Sequence, residues 1–171
     1  MQIRVSLACA PALILAFLVA SAATPRAEDI GYFYLSGPAM TETDFYAQSI
    51  PDTFTLWIWL EPMQEGIECA EYKILLPENV NLISMEANPA VSEASGSIDD
   101  PGVAFCFPQC QYDPVWTHRV ICEVTDNNQT FIFPDYYEGS GPNEGTDCSE
   151  PAGTGEIRAR GPFGVNVPVA V

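Results

Sequence analysis

Short runs of β-branched and aromatic residues, broken at intervals of roughly ten positions by turn formers, restrict this chain to an all-β fold. Fifteen prolines and twelve glycines supply the breaks. No stretch sustains a helical apolar period. Strands are predicted near residues 30–35, 53–61, 67–76, 80–87, 103–107, 115–124, 130–133, 155–160 and 164–169. About nine strands with polar turns make a two-sheet antiparallel β-sandwich of jelly-roll or immunoglobulin type the expected architecture, with a barrel as the alternative.

Alternation along each run says which side chains face the core, because successive side chains of a strand point to opposite faces. Phe54, Leu56, Ile58 and Leu60 share one face, which leaves Trp57 and Trp59 on the other. Ala70, Tyr72, Ile74 and Leu76 point in while Glu71 and Lys73 point out. In 115–124 the expected inward set is Trp116, Val120, Cys122 and Val124, with Thr117, Arg119 and Glu123 outside and His118 on the core side. Val165, Val167 and Val169 line up in the last strand.

The N-terminus reads as an export signal. Arg4 precedes an apolar run from Leu7 to Ala20, and Ala20-Ser21-Ala22 fits signal peptidase. The run is shorter than the ~20 residues of a spanning helix, so no stable membrane anchor is expected. Residues 1–23 are expected to leave as a signal peptide. Residues 24–171 then form one sandwich domain, secreted to the periplasm or the extracellular space. The formal net charge is −17, and without Arg4 five basic residues face 23 acidic ones. Such a surface repels phosphate backbones, which argues against nucleic-acid binding.

The run Thr53-Phe54-Thr55-Leu56-Trp57-Ile58-Trp59-Leu60 leads to Gly66-Ile67-Glu68-Cys69-Ala70-Glu71-Tyr72-Lys73-Ile74, then to Pro77, to Val80-Asn81-Leu82-Ile83-Ser84, and to Gly102-Val103-Ala104-Phe105. Over 53–124 this order resembles the opening half of cohesin-like, carbohydrate-binding-type β-sandwiches. The start Ile30-Gly31-Tyr32-Phe33 is similar to small exported bacterial proteins of unknown function. The resemblance implies a nine-stranded jelly roll and, for cohesins, a dockerin partner. The cysteines depart from the cohesin pattern and no residue matches a dockerin-binding surface, so only the fold is carried over.

Beyond Cys9 the chain holds Cys69, Cys106, Cys110, Cys122 and Cys148. Export to an oxidising compartment makes disulfides the expectation. Cys110–Cys148 is the preferred bridge; a second lies among Cys69, Cys106 and Cys122, with one thiol left free. The spacing of Cys106, Cys110, His118 and Cys122 invites zinc, but four residues along a strand separate His118 from Cys122 by roughly 13 Å, too far for one metal. His118 is the sole histidine, and neither a G-x-S-x-G nor an H-E-x-x-H motif occurs. No catalytic residue is assigned.

Two features suggest ligands. Trp57 and Trp59 stand about 6.6 Å apart on one strand face, a candidate platform for sugar rings or a protein partner. Asp126, Asn128 and Asp147 lie in oxygen-rich loops that suit calcium, although turn chemistry explains the first two equally well. The leading expectation is a non-enzymatic binding or structural module at the cell surface or in the secretome, with polysaccharide or another exported protein as partner. A carbohydrate-binding module using Trp57 and Trp59 is the second reading, and a secreted hydrolase the third.

Overall fold

The computed structural model describes residues 28–99, 102–135 and 144–167. The expected signal peptide, the tip of the acidic loop and Val169 lie outside them. Among the described residues the chain forms twelve strands and no helix: β1 (Asp29–Ser36), β2 (Asp44–Tyr46), β3 (Asp52–Pro62), β4 (Ile67–Leu75), β5 (Val80–Ala87), β6 (Glu93–Ser97), β7 (Gly102–Gln111), β8 (Val115–Val124), β9 (Thr130–Asp135), β10 (Glu144–Asp147), β11 (Thr154–Arg160) and β12 (Phe163–Asn166). Nine match the expected runs; β2, β6 and β10 raise the count. These three are short, and β6 and β10 lack β-branched or aromatic side chains apart from Thr146; their ladders to longer or stronger strands hold them: β6 to β7, β2 to β12, and β10 between β4 and β11. Local β-propensity underestimates such strands because pairing, not intrinsic preference, decides them.

The first sheet runs β5-β8-β3-β1-β11, and the second is built on β4. On one edge β4 pairs with β7, which pairs with β6; on the other it pairs with β10 and then, from Lys73 to Leu75, with β9, which leads to β12 and β2. The β10–β11 pairing joins the sheets along one side. Two pairings are parallel, β1 with β11 and β2 with β12, where antiparallel sheets were expected. Each parallel pair joins strands from opposite ends of the chain, so no tight hairpin dictates their direction.

The core lies between the sheets. Phe33, Phe54, Leu56, Ile58 and Leu60 meet Tyr72, Ile74, Val103, Phe105 and Phe107 there, all buried. Alternation placed β3 correctly on both faces. It failed in β8 at one point. A bulge between Ile58 and Trp59 leaves Thr117 without a ladder partner on β3, and Thr117 turns inward to full burial beside His118. The extra residue flips the parity beyond it. Trp116, expected inside, stands on the outer face against Trp57, with ring centroids 5.0 Å apart. Lys73 also departs from expectation: it is buried, although its strand parity points it away from the core.

The turn between β3 and β4 needs Gly66. Its φ is +72°, and an added Cβ would sit 2.7 Å from the Tyr112 ring. A side chain there would have to displace an aromatic ring and adopt a left-handed backbone.

Candidate binding surfaces

All three tryptophans lie on the outer face of the first sheet. Register brings Tyr34 beside Trp59, and Trp57 beside Arg119. Trp57 and Trp59 are half-buried, as is Trp116. Their flanking groups come from the same sheet: Tyr34 lies 6.3 Å from Trp59 with the ring planes 7° apart, and Arg119 sits 5.5 Å over Trp57. Trp59 Nε1 donates to Ser36 Oγ at 2.9 Å, which holds its indole in one orientation. Trp57 Nε1 is buried with no acceptor among the described residues. The expected pair is therefore split, one indole packed in an aromatic–guanidinium cluster and the other in a Tyr–Trp stack. Alternation in β1 was the available signal for Tyr32 and Tyr34; the arginines needed the register.

Half of the chain's six basic residues share this face, each against a carboxylate. Arg119 pairs with Glu86, Arg158 Nε lies 2.8 Å from Asp29, and Arg160 Nη1 lies 2.5 Å from Glu61. Arg160 also sits 4.0 Å over the Tyr32 ring. Pairs this exposed add little stability; each cancels one charge locally on a strongly acidic protein.

His118 is fully buried between the sheets. Its Nδ1 lies 2.7 Å from Tyr72 Oη, which lies 3.1 Å from Thr117 Oγ1, which in turn donates to the Ile58 carbonyl at 3.2 Å. One proton per bond satisfies this chain if Nδ1–H donates to Tyr72, and Tyr72 to Thr117. Nε2 is then a bare acceptor, and it has no partner among the described residues. Burial lowers the His118 pKa to about 4 and pushes the Tyr72 phenol far above its ordinary range. Buried between the sheets, this cluster ties β4 to β8.

Both disulfides come from cysteines singled out in the sequence. Cys110 bonds to Cys148, and Cys69 bonds to Cys106, its register partner on β7. Cys122 is free and buried, and burial raises its thiol to about 12. Of the calcium candidates, Asp126 and Asn128 share one turn and Asp147 stands apart at the end of β10. Asp126 accepts from the Asn128 amide at 2.8 Å and from the Asn79 side chain at 3.0 Å; Asn128 supplies donors there, its side-chain amide included, at 2.9 Å. Asp147 accepts from the Ser149 hydroxyl at 2.5 Å and from the Gly153 amide at 2.8 Å. These donors hold both carboxyls below their ordinary pKa, the Asn128 amide leading for Asp126 and the Ser149 hydroxyl for Asp147. Among the described residues no three His, Cys, Asp or Glu side chains gather as metal ligands.

A groove absent from the sequence reading crosses the outer face of the second sheet. It measures about 610 Å³ and is lined by Cys69, Glu71, Ser95, Cys106, Glu144 and Thr146, with Ala104 among its small walls. Five strands contribute to it, β4, β6, β7, β10 and, through Thr154, β11. Their small side chains leave the room, and the Cys69–Cys106 bridge joins two of them. Glu71 Oε1 is buried with no hydrogen-bond partner among the described residues. A bare carboxylate oxygen at a groove wall is poised to accept from a cationic or N–H donor.

No family model matches the chain, and no curated protein matches it in sequence. Solved structures do share its fold. A cohesin module from a Clostridium perfringens family 33 glycoside hydrolase superposes with a TM-score of 0.60 at 9% identity, over 82% of this chain and 100% of that one. The seventh ScaB type I cohesin from Pseudobacteroides cellulosolvens gives 0.56 at 13% identity, covering 82% and 94%. A non-cellulosomal cohesin from the archaeon Archaeoglobus fulgidus gives 0.55 at 7% identity, covering 82% and 92%. Identities this low carry the architecture alone: the chain has a cohesin-like β-sandwich fold.

Proposed function

We propose that this chain is an exported, non-enzymatic binding module that docks a protein partner in the groove across β6, β7, β4 and β10. The groove with the unpartnered Glu71 oxygen carries the reading. A buried acceptor without a donor is costly in isolation. A partner's Lys or Arg side chain, entering between Glu71 and Glu144, relieves that cost, and the net charge of −17 favours a basic partner at long range. The fold supports a binding role, since a cohesin of this architecture has been solved in a cohesin–dockerin complex from Clostridium thermocellum. Two disulfides suit an oxidising compartment and hence export. The sole histidine, sealed in the core, argues against histidine-dependent catalysis.

A photo-cross-linking side chain at Thr146 tests this in the culture fraction outside the cytoplasm, with the same group at Ile121 on the opposite face as comparator. The reading expects one protein captured from Thr146 and lost when Ala104→Trp fills the groove. Equal capture from Ile121, or capture that survives Ala104→Trp, would overturn it.

A further inference from the structure

The outer face of the first sheet ends in a second concavity, which the groove reading does not use. It measures about 440 Å³ where β1, β3 and the β11–β12 turn meet the segment between β1 and β2, and it is lined by Tyr34, Met40, Thr41, Thr43, Glu61 and Arg160. This is within the size range of small-molecule sites. We infer that this pocket binds a neutral sugar unit of a glycan, with Tyr34, flanked by the parallel Trp59 ring, as the stacking surface and the Glu61–Arg160 pair addressing its hydroxyls.

Three observations converge on that chemistry. The first is the availability of rings. Arg160 covers Tyr32 and Arg119 covers Trp57, whereas Tyr34 and Trp59 lie nearly parallel and neither ring is capped by a guanidinium among the described residues. The bond from Trp59 to Ser36 fixes the indole before any ligand arrives, which reduces the ordering cost of binding.

The second is charge. Glu61 and Arg160 are 2.5 Å apart at the pocket wall, so the site offers carboxylate acceptors and guanidinium donors with no net charge. A sugar hydroxyl both donates and accepts, so adjacent hydroxyls suit such a pair. A uronic acid would face Glu61 and the negative field of the whole chain. A polycation would face Arg160.

The third is the surround. Thr41 and Thr43 add hydroxyls, and the half-exposed Met40 adds an apolar wall. Burial and the nearby Glu61 carboxylate raise the Tyr34 pKa, which keeps its phenol protonated as a donor near neutral pH. An aromatic body with a polar tip beside a few placed polar groups is the make-up of an orienting, partly apolar site.

The site lies on the sheet opposite the groove, so it stands or falls separately from the partner-docking reading. The test is a titration of the full chain with neutral glucan, xylan and mannan oligomers, followed by tryptophan emission and calorimetry. A uronic-acid oligomer and oligolysine serve as charged comparators. The expected result is that at least one neutral oligomer binds and shifts the emission while the charged probes do not. Tyr34→Ala and Glu61→Gln should each weaken that binding about tenfold, and Trp57→Phe should leave it unchanged. Tyr34→Leu, which keeps apolar bulk, is the second variant should Tyr34→Ala fail to fold. Absence of binding by every neutral oligomer at millimolar concentration, preference for a charged probe, or undiminished binding by Tyr34→Leu would each overturn the assignment.

Discussion

His118 gives the most exacting test of the packing between the sheets, because its environment sets both the sign and the size of an effect of pH on stability. In the unfolded chain the imidazole has its ordinary pKa of 6.5; in the native core, burial lowers it to about 4. A depressed histidine pKa means that the unfolded state binds the proton first. Stability is therefore unaffected above the unfolded value, falls as pH drops below about 6.5, and stops falling from this source near pH 4. Each pKa unit is worth about 1.4 kcal/mol, so about 3 kcal/mol is lost across the window. The structural reason is that a charged imidazole needs an acceptor for Nε2–H, and none is present among the described residues. His118→Phe isolates the contribution. The ring fills similar space among Tyr72 and Phe105, and the Tyr72 hydroxyl keeps Thr117 as its partner. Urea unfolding followed by tryptophan fluorescence, on both proteins from pH 7.5 to pH 4, subtracts the carboxylates common to them. The variant should gain about 3 kcal/mol relative to the parent as pH falls. A difference that stays constant across that range would refute the burial of a neutral His118.

Other consequences concern the cysteines and the turns. Cys110→Ser with Cys148→Ser opens a loop spanning a sequence separation of 38, and the chain-entropy model puts the cost at about 4 kcal/mol, read as a lower urea midpoint. Cys122, with its thiol raised to about 12, should resist a thiol reagent in the native protein and react once urea unfolds it; prompt labelling of native protein would contradict its burial. Because Asp126 and Asp147 already accept from neighbouring amides and hydroxyls, melting temperature should not move between chelator and millimolar calcium. A calcium-dependent rise would mean that these loops rearrange around the ion.

What was legible beforehand follows the reach of each signal. Period-two alternation needs only a handful of adjacent residues, so it placed the core face of β3 and the inward Tyr72 and Ile74 of β4. It could not anticipate the bulge opposite Ile58, because a bulge is a property of two paired strands; hence the exchange of Trp116 and Thr117 between faces. The same limit separates the two disulfides. Cys110–Cys148 was the preferred pairing in the sequence, and the structure sets Cys110 near the end of β7 and Cys148 just past β10. Cys69–Cys106 needed the β4–β7 register, which no local pattern states. The groove was the least legible feature, since its side chains, Ser95, Ala104 and Thr146 among them, are unremarkable singly and meet only when strands far apart in sequence are laid side by side. Trp57 and Trp59 were visible at once, yet their surroundings diverge through neighbours on β1 and β8.

The central claim is that the groove of the second sheet holds a protein partner. Calorimetry of the protein captured from Thr146, purified and titrated into the parent chain, Ala104→Trp and Tyr34→Ala, tests it most directly. The account predicts that Ala104→Trp weakens the complex about a hundredfold or more, as expected for filling the centre of an interface, while Tyr34→Ala leaves it unchanged. Unaltered affinity for Ala104→Trp, with loss confined to Tyr34→Ala, would place the partner on the aromatic face and contradict the account.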